Sequence, residues 1–159
     1  MADGDEIATS VEVTEVLEVT PEILGALRSL VPQLSSSAPL LTESDVADIA
    51  GSRATILLVA RVRPGPIVGS LTLVFFKAPT GPRAWIEDVV VDQSQRGAGV
   101  GSALVKVALE RAKDEGARTV DLTSRPSREE ANRLYLRLGF VQRETNVYRY
   151  LAENPREET

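Results

Sequence analysis

The chain has 159 residues, a net charge of −5 and 43% hydrophobic residues, which suits one soluble globular domain with a single core. It contains no cysteine and no histidine, so disulfides, thiolate nucleophiles, histidine-based triads and most zinc sites are excluded. Because there is no lysine and arginine block, no apolar run near about 18 residues and no signal-peptide pattern, we expect a cytoplasmic protein without nucleic acid or membrane partners.

The N-terminal third predicts a strand followed by two helices. Residues 11–19 are rich in valine and alternate in part, which is typical of a strand. Thr20 and Pro21 then signal the start of a helix, which Pro32 should end or kink. Further on, Thr42 resembles the cap of a second, shorter helix.

Three apolar segments follow and predict strands of one sheet. Residues 54–62 and 67–77 are joined by a turn rich in proline and glycine, so we expect a hairpin. Residues 83–92 form the third apolar run, which leads directly into a polar turn.

The segment after that third run contains the most specific motif of the chain. Glycines at 97, 99 and 101 let a backbone approach a ligand closely, and the helix that follows leaves the N–H groups of its first turn without partners. Such N–H groups attract phosphate. We therefore predict that a phosphorylated ligand binds the loop residues Arg96, Gly97, Ala98, Gly99, Val100, Gly101 and Ser102.

Other kinds of phosphate loop fit this segment less well. A Walker loop requires a lysine after its last glycine, but Ser102 follows Gly101. Ser102 also stands where a dinucleotide fingerprint requires its third glycine. The pattern that remains is R-x-x-G-x-G, formed by Arg96, Gly99 and Gly101. The alternative is a glycine-rich turn that binds nothing.

A second motif lies between residues 127 and 140. Ser127 and Glu130 have the spacing of a capping box, which predicts a helix starting near Arg128, and Gly139 is suited to end it in a left-handed cap. A short strand at 119–123 precedes this helix. Two more strands, at 140–144 and 147–151, are predicted to complete the sheet.

The predicted order of elements is β-α-α-β-β-β-α-β-α-β-β, an α/β fold in one domain spanning residues 1–159. Its sheet is mixed and mostly antiparallel, with about seven strands flanked by about four helices. Residues 1–10 and 153–159 are expected to be flexible tails.

The R-x-x-G-x-G loop and the later A-N-x-L-Y-x-x-x-G-F arrangement together resemble the GNAT superfamily of acetyl-CoA-dependent N-acetyltransferases. The resemblance is specific from Trp85 to Tyr150 and architectural before that. It implies that the loop amides hold the diphosphate of CoA and that Asn132 contacts this co-substrate. It also implies that Tyr135 lies by the thioester sulfur and that the backbone of Val89, Val90 and Val91 pairs with the pantetheine arm.

Glu87 and Asp88 interrupt the apolar strand that precedes the loop. One interpretation is that either carboxylate accepts the proton of the substrate ammonium, directly or through water. The other is that both lie at an exposed strand end and only aid solubility. The run I-E-D-V-V-V also resembles the glucosamine-phosphate N-acetyltransferase branch of the superfamily.

The function predicted from these motifs is transfer of the acetyl group of acetyl-CoA to a primary amine on a small amine, an amino sugar or a peptide. No metal is expected to take part, and a homodimer is possible. The alternative is a CoA-binding sensor or scaffold without catalysis. A nucleotide-binding regulatory domain would need ribose or base contacts that the sequence does not offer.

Overall fold

A five-stranded sheet forms the centre of the structure. The computed structural model describes residues 10–152, and the strands are β1 (Ser10–Glu15), β2 (Thr55–Arg63), β3 (Ile67–Ala78), β4 (Gly81–Val91) and β5 (Thr119–Asp121). The strands lie in chain order, with β1 to β4 paired antiparallel and β5 paired parallel with β4. The predicted mixed, mostly antiparallel sheet is confirmed.

Four helices accompany the strands over the described residues, as predicted. They are α1 (Pro21–Leu34), α2 (Glu43–Gly51), α3 (Val100–Asp114) and α4 (Glu129–Arg137). The predicted order holds from β1 through α4. Across residues 10–152, no helix combines the length and apolar character needed to cross a membrane.

The prediction of about seven strands is wrong for the described residues, because the segments 140–144 and 147–151 form no strands. Residues 141–150 are exposed and join no ladder. Their valine and tyrosine content favours a strand, but a strand also requires a partner to pair with its backbone. That partner cannot be read from the segment itself.

The chain divides into two compact units, one ending at Arg125 and the other beginning at Pro126. The first contains the sheet with α1, α2 and α3, and the second contains α4. The single domain expected across 1–159 stays a prediction. Of the expected flexible tails, Ser10 instead begins β1, while residues 1–9 and 153–159 lie outside the described residues.

Side-chain caps begin both N-terminal helices. The Thr20 hydroxyl accepts a hydrogen bond from the Ile23 N–H at 3.2 Å. At α2, the Asp45 N–H donates to the Thr42 hydroxyl at 3.1 Å, and the Thr42 N–H donates to the Asp45 carboxylate at 2.8 Å. This reciprocal pair is a capping box. Of the two effects expected of Pro32, it does not end α1, which continues to Leu34, because the loss of one N–H near a C-terminus leaves the last turn intact.

Helix α3 packs unusually close to β3. A Cβ added at Gly69 would lie 2.7 Å from Val100 Cγ1 and 3.1 Å from Leu104 Cδ1, so only glycine permits this approach. Val100 and Leu104 are fully buried at this contact. The first turn of α3 is thereby fixed against the sheet beside the end of β4.

The opposite face of the sheet is covered by α1 and α2. Leu27 and Leu30 of α1 and Val46 of α2 form one buried cluster with sheet residues that include Val59 and Val90. Since Val90 is the penultimate residue of β4, this core also holds the point at which the chain leaves the sheet for the glycine loop.

Gln33 ties the end of α1 to the residues that follow β4. Its amide nitrogen donates to Asp92 Oδ2 at 3.2 Å, and its amide oxygen accepts from the Gln93 N–H at 3.1 Å. Asp92 Oδ1 accepts from the hydroxyl and the N–H of Ser94 at 2.7 and 2.9 Å. The bonds from Ser94, and then the one from Gln33, hold the pKa of the Asp92 carboxyl below its ordinary value.

The variant Gln33→Leu should remove the hydrogen bonds from residue 33 to Asp92 and Gln93 while keeping a side chain of similar size. We expect the Gln93 amide to exchange with solvent roughly two- to tenfold faster, because it loses its acceptor. The pKa of Asp92 should rise, since one bond that favours its charged form is gone. Both quantities are measured by NMR.

The variant Gln95→Leu is the matched control, because the Gln95 side chain makes no hydrogen bond among residues 10–152. The Ser94 amide should keep its protection in both variants. If the exchange of Gln93 and the pKa of Asp92 were unchanged in Gln33→Leu, the connection would not exist in solution.

Candidate active site

A β-bulge interrupts β4 shortly before the glycine loop. Leu71 of β3 lies opposite both Asp88 and Val89 of β4, so β4 carries one extra residue at this point. Asp88 has a φ of 51°, in the left-handed region that few residues other than glycine adopt, aspartate among them. Bulges of this kind re-aim the side chains that follow and are frequent beside active sites.

The bulge changes which residues share a face of the sheet. Glu87 lies opposite Thr72, and Val90 lies opposite Ser70. Thr72 and Ser70 are two residues apart on β3 and therefore share a face, so Glu87 and Val90 share it as well. Val90 belongs to the core beneath α1, which assigns Glu87 to the side of the sheet that α1 and α2 cover. Strict alternation would have put the two on opposite sides.

The outer edge of β4 is open along its last six residues. Strand β5 pairs with β4 only over Arg83–Trp85, and in the described part of the chain no strand pairs with the same edge from Ile86 to Val91. Unpaired N–H and C=O groups along such an edge can bind an extended ligand as an additional strand. The residues predicted to contact pantetheine, Val89, Val90 and Val91, all lie on it.

The glycine loop presents a set of main-chain donors. Gly97 and Gly99 have φ values of 84° and 81°, and a Cβ at either position would meet nothing within 4 Å. No side chain caps α3, and its ladder begins with the Ala103 N–H, which donates to the Gly99 carbonyl at 3.0 Å. The N–H groups left without a helical partner are therefore those of Val100, Gly101 and Ser102.

The charges around these donors favour an anion. The first turn of α3 contains no acidic residue, so no carboxylate competes for the donors there. The exposed side chain of Arg96 adds a positive charge to the positive end of the helix dipole. Free N–H groups, open space and positive charge together fit the diphosphate of CoA.

Glu87 and Asp88 are both exposed. Neither takes part in an ion pair within residues 10–152. An exposed, unpaired carboxylate can exchange protons with water, as a general base must, but it also suits a residue that only aids solubility. The role of the pair stays a prediction.

Helix α4 of the second unit carries Tyr135, which is partly buried and packs edge-on against Phe140 with ring centroids 5.8 Å apart. The predicted C-terminal cap is confirmed: Gly139 has a φ of 96° and its N–H donates to Leu136, while the Phe140 N–H donates to the Tyr135 carbonyl at 3.0 Å. Burial raises the pKa of the Tyr135 phenol above its usual value, against the opposing charge of Arg128. The phenol is therefore protonated at neutral pH.

The predicted N-terminal capping box of α4 is wrong. The helix begins at Glu129, with Arg128 at the cap position and no side-chain hydrogen bond there. The ψ of Arg128 is 63°, which differs from the extended backbone that a capping residue normally adopts, so Ser127 lies outside the cap. Asn132 is partly buried on α4, and its N–H donates to the Arg128 carbonyl at 2.9 Å.

Two features of the site have no signal in the sequence. The bulge at Asp88 interrupts a run that is otherwise typical of a regular strand. Gln33 lies 59 residues from its partner Asp92 on a helix whose pattern marks only its apolar face.

Among residues 10–152, no group of three or more acidic side chains is placed to hold a metal ion.

Residues 25–140 match the family model described as "Acetyltransferase (GNAT) family". The chain is 40% identical over 133 residues to a glucosamine 6-phosphate N-acetyltransferase of Trypanosoma brucei brucei, which covers 79% of this chain and 83% of that protein. It is 28% identical over 158 residues to glucosamine 6-phosphate N-acetyltransferase 1 of Oryza sativa subsp. japonica, covering 94% and 91% of the two chains.

A solved structure of an acetyltransferase from Trypanosoma brucei superimposes on this fold with a TM-score of 0.72 at 31% identity. The match covers 89% of this chain and all of that one. The family match, the identity to named acetyltransferases and the likeness of fold agree with the glycine loop and the open strand edge. The chain belongs to the GNAT family and is an acetyl-CoA-dependent N-acetyltransferase.

Proposed function

We propose that this enzyme transfers the acetyl group of acetyl-CoA to the amino group of a phosphorylated amino sugar, with glucosamine 6-phosphate as the type of acceptor. The observation that carries the proposal is the 40% identity, over 79% of the chain, to a relative with this named activity. The rice relative bears the same name. The strand sequence from Ile86 to Val91 resembles the same branch of the family.

In this proposal the first unit binds acetyl-CoA. The N–H groups of Val100, Gly101 and Ser102 hold the diphosphate, assisted by the charge of Arg96. The pantetheine arm pairs with the open edge of β4 along Val89–Val91. The open space at Gly97 and Gly99 supports this arrangement, because phosphate oxygens can come within hydrogen-bonding distance of the backbone there.

The acetyl transfer itself is direct. Glu87 or Asp88 accepts a proton from the substrate ammonium, directly or through water, and the free amine attacks the thioester carbon. An amide of β4 at or next to Val89 donates to the carbonyl oxygen as negative charge develops on it. The new C–N bond forms as the C–S bond breaks, and the thiolate leaves.

Asn132 and Tyr135 belong to the second unit, and their roles are proposed from the sequence motif. Asn132 contacts CoA, and Tyr135 donates the proton that neutralises the departing thiolate. The Tyr135 phenol is protonated at neutral pH, so it holds a proton when the thiolate forms.

The acceptor is tested by the release of free CoA thiol in the presence of different amines. Glucosamine 6-phosphate should give a kcat/KM at least about tenfold above that of unphosphorylated glucosamine, because a site built for a phosphate loses that contact with the neutral sugar. Equal values for the two sugars, or a preference for a peptide amine, would refute the proposed acceptor. An absence of thiol release with every amine would favour a CoA-binding sensor.

The glycine loop is tested by Gly99→Ala, with Gly116→Ala as its matched control. Both glycines have φ values near 80° and open space around them, but Gly99 is the N-cap residue of α3 and Gly116 follows the end of this helix. Each variant should lose about 1–2 kcal/mol of stability through backbone strain. Only Gly99→Ala should weaken acetyl-CoA binding, by at least about tenfold, as measured by calorimetry. Equal affinities for the two variants would contradict the assignment of the loop.

The proton donor is tested by Tyr135→Phe, with the exposed Tyr150 changed to Phe as the control. Loss of a general acid should lower kcat by about tenfold to a thousandfold while the affinity for acetyl-CoA changes little. Stopped-flow or steady-state thiol release measures the effect. A kcat equal to that of the unchanged enzyme would remove Tyr135 from the mechanism.

A further inference from the structure

Three side chains of β4 share one face of the sheet. Arg83, Trp85 and Glu87 occupy alternate positions along the strand before the bulge, so all three stand on the same side. Glu87 lies on the side of α1 and α2, as its register with β3 establishes, and Arg83 and Trp85 therefore lie on that side as well. We call these three residues the β4 strip.

The neighbouring strands agree with this assignment of faces. In the register with β3, the strip lies opposite Phe76, Val74 and Thr72, in that order. On β2, Leu57 lies opposite Thr72 and belongs to the buried cluster that contains residues of α1 and α2. The side chains of the strip and their partners on β3 are therefore cross-strand neighbours on one face, where Cβ atoms of opposite residues are about 4.5–5.5 Å apart.

Helices α1 and α2 leave this part of the face uncovered. Val90, farther along β4, is buried in the cluster beneath α1. By contrast, Glu87 is exposed, Trp85 is partly exposed, and Phe76 opposite Arg83 is 41% exposed. In the first unit, the strip is thus open to a ligand from the side of these two helices.

The two ends of the strip have opposite charges that the described part of the chain does not pair. Neither Arg83 nor Glu87 forms an ion pair within residues 10–152. The Arg83 guanidinium donates to the Thr80 hydroxyl, and an arginine has five N–H donors, so others remain for a ligand. The Cα atoms of the two residues lie about 13 Å apart along the strand, with one side chain between them.

That middle side chain is Trp85, the only tryptophan of the chain. An indole has an apolar ring face and one N–H donor, which together suit a sugar ring with its C–H face and its hydroxyls. Asp121 of β5 lies opposite Trp85 in the parallel register and shares its face. Its carboxylate can accept a hydrogen bond from a sugar hydroxyl.

We propose that the β4 strip is the acceptor subsite and binds a hexosamine phosphate along its length. The ammonium lies at Glu87, the pyranose ring packs on Trp85, and the phosphate binds Arg83 through charge-assisted N–H bonds. In glucosamine 6-phosphate the amine and the phosphate leave from opposite sides of the ring, and the two charges of the strip flank the indole in the same way. This inference rests on the proposed function and adds the residues that select the phosphorylated sugar.

The phosphate contact is tested by Arg83→Gln, with Lys77→Gln as the matched control. Lys77 follows Phe76 on β3 and therefore stands on the other face, and it also forms no ion pair within residues 10–152. Arg83→Gln should lower the preference for glucosamine 6-phosphate over glucosamine at least about tenfold, through KM rather than kcat. Lys77→Gln should keep the preference of the unchanged enzyme.

The outcomes of this assay separate the strip from the proposed function. If the unchanged enzyme prefers the phosphorylated sugar and Arg83→Gln keeps that preference, the strip is refuted while the proposed acceptor stands. If the unchanged enzyme shows no such preference, the proposed acceptor fails and the strip fails with it.

The place of the sugar ring is tested by tryptophan fluorescence, which Trp85 alone supplies. Glucosamine 6-phosphate is added in the presence of CoA, which has no acetyl group to transfer. The emission should change as the sugar binds, and Arg83→Gln should require at least about tenfold more sugar for the same change. Constant emission at sugar concentrations that saturate the acetyltransferase would overturn the role of Trp85.

A pair of substitutions tests the same ring by kinetics. Trp85→Leu should raise the KM for both sugars at least about threefold, because the flat contact surface is lost. Trp85→Phe keeps an aromatic face and should restore most of this loss. Equal KM values for Trp85→Leu and the unchanged enzyme would show that the sugar lies elsewhere.

Discussion

The close packing of α3 on β3 is the constraint on which the active site depends. Because Gly69 has no side chain, Val100 and Leu104 can lie directly on the strand. Because this contact fixes the first turn of α3 beside the end of β4, the free N–H groups of that turn stand where the chain leaves the sheet. A side chain at position 69 would push the helix away and move the donors with it.

The irregular end of β4 determines which other groups lie near the N–H donors of α3. The bulge at Asp88 and Val89 puts Glu87 on the face covered by α1 while Val90 remains in the core beneath that helix. Because β5 is short and no other strand of residues 10–152 pairs with that side of β4, its edge is open from Ile86 onward. An extended co-substrate can thus lie along the strand edge with its phosphates at α3, and Glu87 stands on the face toward α1 and α2.

The predictions that the structure confirms are mostly those based on a few neighbouring residues. The caps at Thr20, Thr42 and Gly139, the helix after Gly101 and the hairpin before β4 all form where the sequence indicated. The capping box predicted at Ser127 does not form. Its spacing is right, but the backbone at Arg128 is not extended. The two final strands failed for another reason: strand-forming residues alone do not supply a partner to pair with.

The sequence by itself determined the family and the place of the glycine loop, and it predicted that this loop binds phosphate. These depend on short-range spacing, which a linear pattern records directly. Only the tertiary structure decided the bulge in β4, the open strand edge and the hydrogen bonds of Gln33 to Asp92 and Gln93. Each of these features joins residues distant in the chain or depends on the register of two strands. Hydrophobic periodicity predicts neither long-range contacts nor strand register.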